Sequence, residues 1–331
     1  MRIIVDAFGG DNAPLEIIKG SQMAVEEFGT DILLVGDENR IAKCVKENNI
    51  RLKKTEIAHC AGDDVLMTDD AKCVLKQKAD SSMGTGFKLL NDGAGDAFVS
   101  AGNTGAITVG ATLITKRIKG VKRPCIASVM PSAKKPFLML DCGANTECRA
   151  EFLYQFGMLG SLYMKHILGY ENPRVALANN GTEETKGTPV VKEAYALMKN
   201  ADYNFIGNIE ARQIPYGDAD VVVADGFSGN LILKMYEGVA KVLMNGIKSV
   251  FKRNIFTMLS AVGVLGGINE MKKQFDYKEY GGAVMLGVKK PVIKAHGSSD
   301  AKTFKNAIKQ AVWFLENNLI NEIEKAFDEH E

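Results

Sequence analysis

Short apolar runs alternate with helix-type segments along the whole chain. The runs that we predict as strands are residues 2–6, 32–35, 97–100, 126–130, 137–141, 174–178, 221–224 and 292–295. Between them, apolar residues recur at helical spacing, as in segments 14–28, 147–168 and 188–198. Some strands are apolar on both faces, as expected where helices cover a sheet on each side. The pattern predicts an α/β fold of three layers, with a mostly parallel sheet and helices on both faces.

Six of the predicted strands end in a similar way. Each is followed by Gly, Asn, Asp, Ser or Thr and then by a helical pattern, in AFGGDNAP, SAGNTGA, DCGANTE, ANNGTEETKG, ADGFSGN and HGSSDAK. These are also ordinary turn and helix-capping residues, so one such loop alone predicts only a turn. Open α/β sheets bind ligands at the carboxyl ends of their strands, and six such ends together predict a polar cleft along one edge of the sheet.

The polar strand ends suit a small, highly charged ligand such as phosphate. Backbone amides, hydroxyl groups and one or two cations make such a site. Residues of the right type are Asn103, Thr104, Thr182, Lys186, His296 and Ser298. Lys186 lies two residues before a predicted helix start at Thr188, although a solvated surface lysine would give the same pattern.

Composition and motifs argue against several other classes of protein. The chain has 41 basic and 40 acidic residues and a net charge of +1, so we expect no nucleic-acid partner. No G-x-G-x-x-G follows the first strand, and neither a P-loop nor a G-x-S-x-G motif occurs. The 6 cysteines form no C-x-x-C pair and the 4 histidines are scattered, so we expect no metal and no cofactor. With no evident covalent nucleophile in the sequence, the attacking group of a transfer reaction would arrive with a substrate.

The predicted first strand leaves no room for a signal peptide, and unpaired cysteines fit a reducing compartment. Both features predict a cytoplasmic protein. The length of 331 residues predicts one α/β unit of two lobes over residues 1–331.

Apolar residues at helical spacing follow Leu243, with lysines on the opposite face, and residues 254–269 carry no charge. This stretch is too short for a membrane span, which needs about 20 residues. We predict a protruding helical arm over 236–278 that packs in the core or in a dimer, or dips into a membrane interface. The residues predicted to contact the membrane are Ile255, Phe256, Met258, Leu259, Val262 and Leu265.

Seven motifs, taken in order, resemble one known family. They are VDAFGGDNAP, SAGNTGA, DCGAN, NNGTEETKGTP, GNIEAR, DVVVADGFSGN and KAHGSSDAKTFKNAI. Together they look like the acyl-ACP:phosphate acyltransferases of bacterial phospholipid synthesis, the PlsX family, from the first residues to about residue 308. Phe8, Ser228 and Val284 stand where Met, Thr and Pro are usual in the family. None of these differences removes a functional group that the chemistry requires.

The resemblance implies a reaction, a fold and a set of partners. Inorganic phosphate would attack the thioester of a fatty acyl chain on acyl carrier protein, giving acyl phosphate and free carrier protein. The implied fold is similar to that of phosphate acetyltransferases and of isocitrate and isopropylmalate dehydrogenases, used without a nucleotide. The family also implies a homodimer and peripheral attachment to the inner face of the cytoplasmic membrane, where a membrane acyltransferase would use the product.

The resemblance also implies roles for individual residues. Lys186 would pair with the phosphate charge, while Asn180, Thr182 and Asn230 would donate to phosphate or carbonyl oxygens; Lys186, Asn180 and Asn230 are the catalytic candidates. His296 could protonate the leaving thiolate, which leaves readily without help. The other substrate-binding candidates, of which the aspartates would orient loops, are Asp6, Gly9, Gly10, Asp11, Asn103, Thr104, Asn145, Glu183, Asp225, Gly229 and Ser298.

Two surfaces and three rival functions complete the sequence-based picture. The acyl chain needs an apolar groove, which we expect near residues 243–265. Acyl carrier protein is strongly acidic, and the densest basic cluster is 116–123, although a solvated loop would look the same. The rivals are a phosphate acetyltransferase acting on acetyl-CoA, a non-catalytic membrane-associated scaffold of lipid synthesis, and a metal- and nucleotide-dependent decarboxylating dehydrogenase.

Overall fold

In the computed structural model of the chain, which describes residues 1–274 and 280–329, one sheet of 11 strands forms the middle layer. The strands are Arg2–Asp6 (β1), Asp31–Gly36 (β2), Thr55–His59 (β3), Ala97–Ser100 (β4), Cys125–Met130 (β5), Phe137–Leu140 (β6), Val175–Asn179 (β7), Phe205–Glu210 (β8), Val221–Val223 (β9), Gly282–Leu286 (β10) and Val292–Ala295 (β11). Their order across the sheet is β3-β2-β1-β4-β11-β10-β5-β6-β9-β7-β8. Most pairings among these strands are parallel, which confirms the predicted class of sheet.

The helices begin where the sequence places short polar side chains. They are Leu15–Phe28 (α1), Glu38–Glu47 (α2), Ser82–Asn91 (α3), Thr104–Gly110 (α4), Ala150–Leu168 (α5), Pro189–Met198 (α6), Gly226–Phe251 (α7), Ile255–Gln274 (α8), Ala301–Glu316 (α9) and Leu319–Asp328 (α10). Six of them start at a side-chain oxygen that accepts from a backbone N–H of the first turn, namely at Asp37, Ser81, Asn103, Thr188, Asp225 and Asp300. Such a cap typically stabilises a helix by about 1 kcal/mol.

Alternate residues of a strand pack on opposite faces of the sheet. Val5 of β1 belongs to a core that contains Ile18 of α1 and Phe304 of α9. Its neighbour Ile4 lies in a second core with Phe87 of α3. All five side chains are fully buried, and each such burial stabilises the fold by about 1.5–3 kcal/mol. Helices therefore cover both faces, as the two-sided apolar strands predict.

The direction of the strands reverses inside the sheet. Strand β10 runs antiparallel to both β11 and β5, and β5 runs antiparallel to β6. As a result β1, β4 and β11 point one way, whereas β6, β9 and β7 point the other way. The prediction that the six polar strand ends lie along one side of the sheet is therefore wrong. The loops after β1, β4 and β11 lie at one end of the strands, and the loops after β6, β7 and β9 lie at the opposite end. Apolar patterning reports burial but not strand direction, so the sequence pattern could not reveal the reversal.

Three strands of the described chain were not predicted, namely β3, β8 and β10. Strands β3 and β8 are the outermost strands of the sheet, one on each side. Their sequences, TEIAH and FIGNIE, mix polar and apolar residues because much of each strand is not fully buried. Strand β10 is GAVML, a short run that starts with glycine, which is a weak strand former.

Helices α7 and α8 correspond to the region of the predicted arm. Helix α7 has 26 residues, of which Gly226 and Gly229 are buried, and its later part exposes Val242 by 70% and Leu243 by 62%. Helix α8 contacts α7, and its Phe256 is 77% exposed. Residues 275–278 of the predicted arm lie outside the described residues, as do the side chains of Ile255, Met258, Leu259, Val262 and Leu265. Within the described part of the chain, no helix combines the length and apolar character needed to cross a membrane.

Candidate active site

A cavity of about 300 Å³ lies over the central strands, where the strand direction reverses. Its lining comes from β5, β10 and β11, from the loops after β6 and β11, from the first turns of α4 and α9, and from residues 230–237 of α7. Thr104 and His296 follow strands that point one way, whereas Gly143 and Asn230 follow strands that point the other way. Loops from opposite ends of the strands can both line the cavity because it extends across the face of the sheet. Its polar side chains are Thr104, Ser128, Asn230, Lys234, Glu237, Lys294, His296 and Thr303.

Asp6 joins the loops at one end of this cavity. Its carboxylate is buried and accepts from Ser82 Oγ at 2.6 Å, Ser100 Oγ at 2.7 Å and the N–H of Phe8 at 3.2 Å. Burial raises the pKa of Asp6, and the two serine hydroxyls act in the opposite direction by stabilising the anion. A Cβ on Gly9 would lie 2.5 Å from Asp6 Oδ2, so only glycine fits beside this network. Asp6 and Gly9 therefore shape the loops and do not line the cavity.

The loops after β1 and β11 are also bonded to each other. The N–H of Asp11 donates to the carbonyl of Gly297 at 2.8 Å. Gly10 has φ of +101°, and a Cβ there would lie 2.9 Å from the Gly297 oxygen. The backbone of Gly10 and Asp11 thus fixes the segment that carries His296, and the role of the Asp11 side chain stays a prediction.

Asn103 is occupied by structural hydrogen bonds. Its Oδ1 accepts from the N–H of Ala106 at 3.0 Å and caps α4. Its Nδ2 donates to the carbonyls of Leu66, Met67 and Asp69, each at 3.1 Å. No free donor is left for an anion, so the structure places Thr104 at the cavity and Asn103 behind it, as a tether for the loop 66–69.

A matching framework holds the loops at the other end. The buried carboxylate of Asp141 accepts from the N–H of Ile126 at 2.8 Å and from the N–H of Asn145 at 2.7 Å. The amide of Asn145 donates back to Asp141 Oδ2 at 2.9 Å and to the carbonyl of Pro124 at 2.8 Å. Asp225 caps α7 by accepting from Ser228, whose N–H lies 2.8 Å away. The N–H of Gly226 also donates to the carbonyl of Asn145 at 2.7 Å, so Asn145, a predicted substrate-binding residue, and Asp225, predicted to orient loops, position the start of α7, while Asn230 lines the cavity.

Two lysines dominate the charge of the cavity. Lys234 Nζ donates to Glu237 Oε2 at 2.9 Å along the same face of α7. Lys294 stands in β11 between buried neighbours, and burial together with the positive charge of Lys234 lowers its pKa to about 8. Glu237 and Asp11 act in the opposite direction on the pKa of Lys294. An anion bound near both ammonium groups would relieve this penalty, so the cavity is electrostatically suited to an anion.

His296 is held in one tautomer by its neighbour. Ser298 donates its N–H to His296 Nδ1 at 3.3 Å, and its hydroxyl oxygen lies 3.0 Å from the same nitrogen. Nδ1 is therefore an acceptor, and in the neutral ring the proton resides on Nε2. Nε2 lies 4.0 Å from Glu237 Oε2. Burial and the two nearby lysines lower the pKa of His296, so the ring is neutral at pH 7 and offers an N–H donor to the cavity.

The loop after β7 does not line this cavity. Asn180, Thr182, Glu183 and Lys186 are exposed, and the loop is bonded to β8 through Asn208 Nδ2, which donates to the Glu183 carbonyl at 3.0 Å. Strand β7 is five strand spacings from β11, or roughly 24 Å at the usual interval. Within one subunit the structure therefore does not bring Lys186 together with His296.

Comparison with known proteins assigns the chain to a family. A family model described as "Fatty acid synthesis protein" matches residues 1–322. The chain is 44% identical over 328 residues to a protein of Thermoanaerobacterium thermosaccharolyticum named phosphate acyltransferase, covering 99% of this chain and 97% of that one. It is 46% identical over 330 residues to a phosphate acyltransferase of Thermoanaerobacter pseudethanolicus, covering 99% and 98%. The chain belongs to the phosphate acyltransferase (PlsX) family. The family indicated by the seven sequence motifs is thus confirmed.

A solved structure shows the same fold as this phosphate acyltransferase family member. A phosphotransacetylase from Streptococcus pyogenes superposes with a TM-score of 0.64 over 97% of this chain and 94% of that one, at 18% identity. Identity at that level supports the shared α/β fold alone. The predicted similarity to the fold of phosphate acetyltransferases is therefore confirmed.

Sequence reasoning missed three charged residues of the phosphate acyltransferase cavity. Lys294 was overlooked although it is the charged residue in the apolar strand VIKA, a pattern that already indicates a special role. Lys234 and Glu237 follow Asn230 by four and seven residues, which places all three on one face of a helix. The sequence signals that we used for this segment are its loop DGFSGN and its distal apolar face, and neither includes Lys234 or Glu237.

A buried cysteine also belongs to the lining of the cavity. Cys142 lines it, but burial raises the pKa of this thiol well above its usual value, so the reactive thiolate is disfavoured. Among residues 1–274 and 280–329, no three His, Cys, Asp or Glu side chains group as metal ligands would.

Proposed function

We propose that this protein transfers a long-chain fatty acyl group from acyl carrier protein to inorganic phosphate, giving acyl phosphate for phospholipid synthesis. The observation that carries the proposal is the cavity of about 300 Å³ in which Lys234 and Lys294 lie beside Asn230 and a neutral His296. Membership of the phosphate acyltransferase family supports the reaction type. The carrier-protein donor rests on the family resemblance of the seven motifs.

Phosphate binds next to Lys234 and Lys294 in this proposal. Its negative charge compensates the partly buried ammonium group of Lys294 and the exposed one of Lys234, and charge-assisted hydrogen bonds are about twice as strong as neutral ones. Asn230 and Thr104 line the same cavity and supply an amide and a hydroxyl donor. Glu237 keeps Lys234 oriented through its 2.9 Å ion pair, and its own charge limits how tightly the anion is held.

The thioester carbonyl is placed next to His296 Nε2. A phosphate oxygen attacks the carbonyl carbon, and a C–O bond forms while the carbonyl electrons move onto oxygen. The neutral imidazole stabilises this oxyanion with its N–H, a contribution typically worth roughly 10²–10³-fold in rate. The C–S bond then breaks, the thiolate leaves, and acyl phosphate remains. No enzyme-bound acyl intermediate is required, since holding both reactants together supplies several kcal/mol.

The loop 179–187 stays a second candidate anion site. Its exposed Asn180, Thr182, Glu183 and Lys186 would reach a cavity only if another subunit provided it. The homodimer implied by the resemblance is such an arrangement. A second subunit would cover apolar side chains that α7 exposes in the single chain, and these support the dimer. They include Phe227, which is 65% exposed, and Leu231, which is 62% exposed.

The acyl chain is proposed to lie in an apolar groove along α7. The groove has a volume of about 470 Å³ and is lined by Pro215, Leu231, Met235, Tyr236 and Leu243. It adjoins the part of α7 that carries Asn230 and Lys234, so one helix serves both reactants. The continuation into α8, with its exposed Phe256, is the proposed arm for peripheral contact with the cytoplasmic face of the membrane, where a membrane acyltransferase would take the product.

One assay separates this function from its rivals. Purified full-length protein is incubated with long-chain acyl carrier protein with and without phosphate, and free carrier thiol and hydroxylamine-trapped acyl phosphate are measured. We expect release of carrier only when phosphate is present. Faster reaction with acetyl-CoA would indicate a phosphate acetyltransferase, absence of any release would favour the scaffold, and saturable binding of NAD would favour the dehydrogenase.

Phosphate affinity is expected to fall as the pH rises through about 8. The pKa of Lys294 is lowered to about 8, so the free protein loses this positive charge above that pH, and binding the anion then requires uptake of a proton. The dissociation constant should increase by up to about tenfold per pH unit above 8, as linkage requires. Titration calorimetry with phosphate between about pH 7 and pH 9.5 measures this. In Lys294→Arg, whose guanidinium stays charged, the decline should disappear; an identical decline would remove Lys294 from the site.

A further inference from the structure

A basic surface flanks one end of the cavity. Five of the eight residues in 116–123 are cationic and exposed, and the fold adds Lys289 from the turn between β10 and β11. We call this surface the basic patch; its residues are Lys116, Arg117, Lys119, Lys122, Arg123 and Lys289. The whole chain has a net charge of only +1, so the concentration of positive charge here is local.

We propose that the basic patch is the docking surface for an acidic carrier protein that delivers the acyl thioester to the cavity. The inference rests on the function proposed above and adds the place where the donor binds. A surface of one sign attracts a partner of the other sign and raises the association rate.

The two segments of the basic patch are held together by backbone hydrogen bonds. The N–H of Lys289 donates to the carbonyl of Lys116 at 3.0 Å, and the N–H of Ile118 donates to the carbonyl of Gly287 at 3.0 Å. Arg117 donates to the carbonyls of Val121 and Lys122, which makes it a structural member of the patch. The patch is therefore a fixed feature of the fold.

Most of the positive charge on the patch is available to a partner. Lys119 forms an ion pair with Asp328 at 3.9 Å, and Arg123 Cζ lies over the ring of Phe152 at 5.9 Å from its centroid. Lys122 and Lys289 are exposed, and no carboxylate of the described residues forms a salt bridge with either. An acidic helix could thus pair with Lys122 and Lys289 without breaking a salt bridge of the described residues.

The distance from the basic patch to the reacting groups suits a tethered thioester. Arg123 precedes Ile126, the first cavity residue of β5, by three residues. Ala283 of β10 pairs with Lys294 of β11 on one side and with Ser128 of β5 on the other. Lys294 and Ser128 are therefore at the same height along the sheet and separated by two strand spacings. Five residues along the strand and two spacings across the sheet give about 19 Å between Arg123 and Lys294. A phosphopantetheine arm of about fourteen bonds extends over roughly 18 Å, so a carrier docked at the patch reaches the cavity.

The position favours a protein partner over a lipid surface. The exposed apolar side chain next to the patch is Leu113, at 57%, whereas a series of exposed apolar residues lies on α7. Membrane surfaces take up several apolar side chains in addition to cations. A basic patch beside the cavity, with Leu113 as the large exposed apolar residue that adjoins it in the described part of the chain, matches an acidic protein that carries the substrate.

Charge reversal on the patch tests the proposal. We expect Lys122→Glu with Lys289→Glu to lower kcat/KM for acyl carrier protein at least about tenfold through KM, while kcat/KM for a small acyl-pantetheine thioester stays the same. In the unmodified protein, kcat/KM for acyl carrier protein should fall between about 0.05 and 0.3 M salt, and the double variant should lose this dependence. The matched control is Lys46→Glu with Arg51→Glu, which changes the net charge equally on exposed residues of another region.

The measurements distinguish failure of the docking proposal from failure of the proposed function. Equal kcat/KM for acyl carrier protein in the patch variant, the control and the unmodified protein would overturn the docking proposal. So would parallel losses with the carrier protein and the small thioester, because the defect would then lie in the cavity. Loss of binding to anionic vesicles with an unchanged KM for the carrier would instead assign the patch to a membrane. Failure of the unmodified protein to use acyl carrier protein at all would refute the proposed function itself.

Discussion

Replacing Lys294 with methionine is expected to lower kcat/KM for phosphate by about 10²-fold or more without lowering stability. The substitution removes one of the two lysine charges proposed to bind the anion, and the loss of a preorganised charged donor has effects of this size. Burial already disfavours the ammonium group, as the pKa of about 8 indicates, so the uncharged variant should fold at least as well. Initial rates at varied phosphate, together with thermal melting, would measure both effects.

Two further variants make the result for Lys294 specific. Lys46→Met removes an exposed lysine of α2 that lies outside the cavity and should leave the rate unchanged. Lys186→Met tests the arrangement predicted from the sequence, in which the loop after β7 binds phosphate. A large loss in Lys186→Met with no loss in Lys294→Met would move the phosphate site to that loop and require a second subunit to complete it.

Changing Gly229 to alanine should destabilise the protein by about 3 kcal/mol or more and abolish activity. A Cβ at this position would lie 2.0 Å from the carbonyl oxygen of Asp141, which is backbone and cannot move aside without displacing the loop after β6. Overpacking of a core typically costs about 1–3 kcal/mol, and a contact this short belongs at the upper end. Asn230 is the next residue, so any shift of α7 also displaces a cavity side chain. Urea denaturation and the transfer assay would measure these effects.

Gly238 provides a control within the same helix. An added Cβ there meets nothing within 4 Å. Since alanine is a better helix former than glycine, Gly238→Ala should stabilise α7 by about 0.5–1 kcal/mol. If both substitutions had the same effect, the proposed close packing of α7 on the Asp141 loop would be contradicted.

Much of the fold could be predicted from the pattern of apolar and polar residues, because buried positions are occupied by apolar side chains. The two-sided apolar runs of β1, β4 and β9 were predicted, whereas the edge strands β3 and β8 were not, because exposure lets polar residues enter them. The same reasoning explains Lys294, where a charge inside an apolar strand was visible but its significance was not recognised. Patterning is informative where solvent is excluded and becomes ambiguous at the surface.

Polar residues at strand ends were harder to interpret. Asn103, Asn145 and Asp225 have the side chains that a phosphate site uses, but each is occupied by caps or by loop carbonyls and amides. A capping residue and a ligand-binding residue draw on the same few chemical groups, so the sequence alone cannot separate them. Asn230, a few residues after Asp225, has the same chemistry and faces the cavity instead.

The amino-acid sequence by itself determined the class of fold, the succession of strands and polar loops, and the family. These depend on local periodicity and on the identity of short motifs, which are properties of neighbouring residues. Only the tertiary structure decided which loops share a site, because the antiparallel strands at the centre of the sheet place three of the six polar loops at one end of the strands and three at the other. The tertiary structure also brought Lys234 and Lys294, 60 residues apart in the chain, into one cavity. Such a meeting depends on strand direction and order, which are set by long-range pairing and leave no local pattern in the sequence.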